Sequence, residues 1–161
     1  MAGFVMGAFS FAYHATNNLF TQYLDFLGMY LWIVYLIVLR LRAAYGLARG
    51  ASAYWGLVAG LTLGTHLVHQ ANLPFQFIVA GLAVALLYVE HACRKRGLAG
   101  DGRYIAGAAA AFFVGELCSL IDLKRVFCRP EDPFLQGHAF WHCFGGVGMT
   151  LLSLYHRRKA E

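Results

Sequence analysis

The sequence predicts an all-α fold, a polytopic membrane bundle of six transmembrane helices, and three observations carry that prediction. Only 13% of the 161 residues are charged while 60% are hydrophobic. Soluble domains carry roughly a quarter charged residues, so a water-soluble globule of this size could not hide so much apolar surface. Uncharged stretches approaching the ~20 residues that cross a hydrocarbon core recur along the chain. Most of the basic residues cluster at the ends of those stretches, where they orient a membrane protein.

The first span runs from about Ala2 to Asn17, and the second from near Tyr23 through LGMYLWIVYLIVL to Leu41. A third covers roughly Ser52 to Val68. A fourth runs from Leu73 to Val89, with Pro74 suited to a helix start. The fifth extends from about Tyr104 to Leu120 and the sixth from near Gly137 to near Tyr155. No internal repeat, low-complexity segment or linker interrupts them, so residues 1–161 read as one domain.

The basic residues set the orientation. Even-numbered connections and the C-terminal tail carry Arg40, Arg42, Arg49, Arg94, Lys95, Arg96, Arg103, Arg157, Arg158 and Lys159. Odd-numbered connections carry only Lys124, Arg125 and Arg129. Charge asymmetry of this kind puts the first group, and both termini, on the cytoplasmic side. The same clustering argues against nucleic acid as the partner of the net charge of +5. Cys93, Cys118, Cys128 and Cys143 form no CxxC pair or framework spacing and read mostly as buried thiols.

Ionisable side chains inside a membrane are costly and usually functional. Ser10 and His14 lie in the first span, Asp25 opens the second, and His138 and His142 open the sixth. The first span runs outward, and the polar stretch from Thr16 to Gln22 reverses the chain. Asp25 then returns about one turn into the next helix, at a depth similar to His14. The sixth span starts at the same outer face. Five polar residues from three spans therefore converge on one layer.

Residues four apart share a helix face, as Ser10 and His14 do, and His138 and His142. Two histidines so spaced can grip one metal ion. A third from another helix would leave a fourth position open to water, the mark of catalytic zinc. Zinc lowers the pKa of its water to roughly 7, Asp25 could take the proton, and Ser10 could steady the developing oxyanion. Plainer readings stand beside each piece. The HxxxH pair could serve interhelical hydrogen bonds, Ser10 could bond back to its own helix, and Asp25 could be a helix-start acid. His66 and His69 are rival ligands that read better as interfacial polar residues. Glu116 is buried by its position and free to pair with a neighbour, whereas Glu90 and His91 read as a solvated boundary. Cys143 points away from the histidine pair.

Taken together, SFAYHATNNLFTQYLDFLGMYLW and FCRPEDPFLQGHAFWHCF resemble the alkaline ceramidase family. This family belongs to a superfamily of seven-span metal hydrolases that includes adiponectin-receptor-like and GPI-remodelling proteins. Its pattern is a serine, a histidine four later, an aspartate eleven further on and a distant HxxxH, which Ser10, His14, Asp25, His138 and His142 match. The resemblance implies Zn2+ held by His14, His138 and His142, with Asp25 as general base and Ser10 as oxyanion partner. It also implies a ceramide-like lipid as substrate, split into a fatty acid and an amino alcohol. Met1 lies only nine residues before Ser10, so the family's first span is expected to be missing and its calcium-binding segment with it. Rival functions are a GPI or phospholipid esterase, a zinc-containing receptor and a haem carrier using histidines of spans one, three and six.

Overall fold

The computed structural model of the protein describes residues 2–73, 75–123 and 137–157. They form α1 (Ala2–Thr16), α2 (Leu19–Tyr45), α3 (Gly50–Gln70), α4 (Gln76–Lys95), α5 (Gly102–Leu123) and α6 (Gly137–Arg157). Among the described residues there is no strand. The expectations placed on Pro74, Lys124, Arg125, Cys128, Arg129, Arg158 and Lys159 lie outside the described residues, as does the side chain of His138. Three helices contain segments long and apolar enough to cross a membrane: Leu19–Tyr45, Phe77–Lys95 and Gly102–Ile121.

Helix ends follow local chemistry. Asn17 takes a left-handed φ of 46°, which asparagine tolerates better than most residues. Asn18 then caps α2, its Oδ1 accepting the Thr21 amide at 3.0 Å, while the Thr21 hydroxyl donates to the Asn18 carbonyl. The reversal therefore needs only two residues, and α2 starts at Leu19 rather than near Tyr23. Gly46 ends α2 in the left-handed region, its amide returning to the Arg42 carbonyl at 3.0 Å. Asn72 and Gly97 end α3 and α4 in the same conformation. There Leu73 bonds back to Val68 and Leu98 to Cys93, the paired return bonds of a Schellman end.

The chain folds as two compact units, Met1–Ala99 and Gly100–Glu161. In the first, α2 touches α1, α3 and α4 and is apolar around most of its circumference, as a central helix must be. One stripe at helical spacing, Thr21, Asp25 and Gly28, is buried, and Thr21 and Gly28 meet α1. Phe26 and Tyr30 pack with Phe75, and the Tyr30 hydroxyl lies 2.7 Å from that of Thr65 on α3. Val34 and Val38 meet Val58, while Ile37 and Ala44 meet Val89 and Cys93 on α4.

A buried ion pair crosses from α2 to α4. Arg40 donates from Nε to Glu90 Oε2 at 2.8 Å and from its terminal nitrogen to Oε1 at 2.9 Å. That same nitrogen donates to the Leu98 carbonyl at 2.8 Å. Arg40 is 6% and Glu90 3% exposed, which corrects the reading of Glu90 as solvated and of Arg40 as a connection charge. Both face the α2–α4 seam, where only mutual pairing makes the charges tolerable.

The second unit is the α5–α6 pair, antiparallel by its contacts. A Cβ on Gly148 would lie 2.9 Å from the Phe112 ring, and one on Gly107 3.2 Å from Leu151. At the end of the pair Tyr155 accepts the Gly100 amide at 3.1 Å.

Candidate functional site

The α1–α2 pair fixes the level of its polar residues. Near one end of the pair Gly28 abuts Met6 so closely that a Cβ would lie 2.9 Å from the Met6 Cα. Towards the other end Gln22 donates to the Tyr13 hydroxyl at 3.3 Å, and the Thr16 and Thr21 hydroxyls lie 2.9 Å apart. These antiparallel pairs bracket Ser10 and Asp25 and put them at one level. Ser10 is half-buried, and Asp25 is 7% exposed. His14 lies one turn nearer the connection, about 6 Å along the axis. It is exposed within its unit, its ring 5.0 Å from that of Tyr13.

Because α2 begins at Leu19, Asp25 is its seventh residue rather than one turn in. A helix dipole acts mainly within the first turn, so it does not account for this carboxylate. A buried acid two turns into a membrane helix calls for partners or a chemical role, which removes the plain reading of a helix-start acid.

Gly28 makes the register testable. An alanine methyl would meet α1 backbone, not a flexible side-chain tip. Gly28→Ala is expected to push the helices apart and lower stability by about 1–3 kcal/mol, read from unfolding in mixed micelles.

His66 and His69 gather around a different residue. Nδ1 of His66 lies 3.4 Å from the Tyr23 hydroxyl, and its Nε2 lies 3.0 Å from the Gln70 amide nitrogen. The His69 ring is 6.2 Å from that of Tyr23 and 5.8 Å from that of Phe75. Tyr23 and Asp25 are two residues apart and point to nearly opposite sides of α2. The α3 histidines thus gather on the side of α2 away from Asp25.

On α6, His138 and His142 fall one turn apart. His142 is half-buried, its ring 4.6 Å from that of Trp141 at a steep angle. Trp141 donates its indole N–H to Glu116 Oε2 at 3.2 Å. Glu116, expected to be buried, is exposed within its unit. Of the three described cysteines, Cys93 is buried, Cys118 intermediate and Cys143 exposed. Of the cysteines read mostly as buried thiols, Cys93 alone among the described ones is fully buried.

Among the described residues no three His, Cys, Asp or Glu side chains gather to hold a metal ion. His14 and His142 belong to different units. The Arg40–Glu90 pair and the Trp141–Glu116 bond escaped sequence reasoning. The signal available for each was an ionisable residue within or beside an apolar run, without a visible partner.

Six helices among the described residues, three of them long and apolar enough to span a bilayer, with buried ionisable groups among them, define a polytopic membrane protein. The chain belongs to the ceramidase family, whose model, described as Ceramidase, matches residues 1–158. Membership brings its class, a hydrolase acting on ceramide in the membrane. No curated protein and no solved structure matches the chain.

Proposed function

We propose that the protein is a zinc-dependent amidohydrolase that cleaves the N-acyl bond of a ceramide-like lipid, giving a fatty acid and an amino alcohol. The observation that carries this reading is Asp25, a carboxylate buried inside α2 and level with Ser10. Structural zinc needs neither group. The donor set suits the metal: His14, His138 and His142 are neutral nitrogen ligands of the kind catalytic zinc takes, with one position left open. Bound zinc would supply a Lewis acid and lower the pKa of a water to about 7.

The chain's own groups account for the remaining steps. Asp25 accepts the proton of the attacking water as its oxygen bonds to the acyl carbon. The Ser10 hydroxyl donates to the former carbonyl oxygen as charge builds there. Asp25 then returns the proton to the amide nitrogen as the C–N bond breaks, so the amine leaves neutral and the acid remains.

Metal analysis of the purified protein, with lipid products followed by mass spectrometry, tests the reading. One zinc per chain, lost in His142→Ala, and release of a free amine from ceramide are expected. Fatty acid released only from ester lipids would overturn the amidase assignment, and a protein that hydrolyses ceramide without zinc would overturn the ligand set.

Orientation belongs to the same proposal, with both termini cytoplasmic. It is motivated by exposed Arg42, Arg49, Arg94 and Lys95 beside even-numbered connections. In a cysteine-free background, Ala71→Cys should label from outside intact cells and Ala48→Cys should not. The reverse pattern would sink it.

A further inference from the structure

Glu116 is an ionisable residue within a candidate membrane span, Gly102–Ile121. Such a residue is expensive to keep there. Arg40 and Glu90 neutralise one another and Asp25 has its place in the proposed chemistry, which leaves Glu116 to be explained. Two observations bear on it. The first is its bond from the Trp141 indole at 3.2 Å. The second is the adjacent Gly115, which is buried and lets α5 approach the α6 backbone. A Cβ at 115 would lie 3.1 Å from the Phe144 Cβ and 3.4 Å from the Trp141 carbonyl oxygen.

The contacts around Gly115, Phe112–Gly148 and Gly107–Leu151 share one antiparallel register, which sets Glu116 level with His142. Trp141 links the two: its indole bonds Glu116 and its ring packs at 4.6 Å and 71° against that of His142. An indole has one N–H and no acceptor, so anchoring that N–H removes the ring's freedom to turn. The neighbouring imidazole loses freedom with it.

We infer that Glu116 is a positioning residue that, through its hydrogen bond to Trp141, holds the His142 ring in the orientation needed to bind metal. The inference rests on the proposed zinc reading. Groups that orient ligands from behind typically contribute about 10–100-fold in metal affinity, and Glu116 acts at one remove through an aromatic ring. The hydrogen bond, not the charge, does the positioning, so glutamine can replace it.

The test is zinc affinity of the full chain in micelles by chelator competition, beside the indole N–H resonances of the zinc-free protein. Glu116→Ala and Trp141→Phe should each weaken zinc binding by about 10-fold or more. The double variant should be no weaker than either single one, and Glu116→Gln should stay within about threefold of the parent. Without zinc, the resonance that Trp141→Phe deletes should shift in Glu116→Ala and hold in Glu116→Gln. Trp141→Phe keeps the ring and carries the test if Glu116→Ala fails to fold. Parent-like zinc affinity in Trp141→Phe, additive losses in the double variant, or a Glu116→Gln as weak as Glu116→Ala would each overturn the inference while leaving the zinc reading intact. A parent protein that binds no zinc would overturn both.

Discussion

Asp25→Asn is expected to lower ceramide hydrolysis by at least about 100-fold, the low end for general-base catalysis, while leaving zinc and fold in place. Asparagine matches the size of aspartate and can still accept a hydrogen bond, but it cannot take a proton from water at neutral pH. The matched size matters because Asp25 lies 7% exposed, in one stripe with Thr21 and Gly28, which meet α1. A larger or apolar residue would disturb the Thr21 and Gly28 contacts and confuse loss of fold with loss of chemistry. Ser10→Ala provides the comparison at the same level of the bundle. It should keep zinc and lose roughly 10- to 1000-fold in rate, on the order of one oxyanion donor or less. Hydrolysis, metal content and unfolding midpoint measured on the same preparations separate the outcomes. Undiminished hydrolysis in Asp25→Asn would remove the general-base role and favour a protein that keeps its metal for stability.

Much of the architecture was legible because the bilayer imposes a simple rule on sequence. Each apolar run became one helix, and at the start of α2 local capping chemistry outweighed hydropathy. The start of α2 is the clearest case. Thr16 to Gln22 is polar enough to read as a loop, yet Asn18 can cap a helix and Thr21 can bond back within its first turn. Reading Asn18 as a cap would have placed Asp25 at its true depth. Gly46, Gly97 and Asn72 were similar unused signals for C-terminal ends. Contacts between helices were less legible. Arg40 and Glu90 are fifty residues apart, and nothing local in either segment names the other. Trp141 and Glu116 pose the same problem over 25 residues. The candidate site was readable only as a pattern of residue types at set spacings. That pattern pointed to a family that covers residues 1–158, whereas spacing alone left His66 and His69 in contention.

The Arg40–Glu90 pair carries the other large expected effect, and its direction depends on how it is cut. Removing one member strands the other charge in the α2–α4 seam. Arg40→Met should destabilise by about 3–5 kcal/mol, the usual result of breaking a buried pair. It also leaves the Leu98 carbonyl without the donor that now reaches it at 2.8 Å, loosening the chain just beyond α4. Glu90→Leu should be comparably damaging, since the guanidinium loses a two-pronged partner and cannot shed its charge. Replacing both is a different experiment. Arg40→Met with Glu90→Leu fills the seam beside Ile37, Val89 and Cys93 with apolar groups and leaves no charge behind. Such exchanges are often neutral or stabilising by about 1–4 kcal/mol, so the double variant should recover most of the parent stability. Unfolding by SDS in mixed micelles reads all three. A double variant as unstable as Arg40→Met would mean that the bond to Leu98, rather than the charge pair, carries the stability. Single variants within about 1 kcal/mol of the parent, the range of an exposed salt bridge, would mean that water reaches the pair.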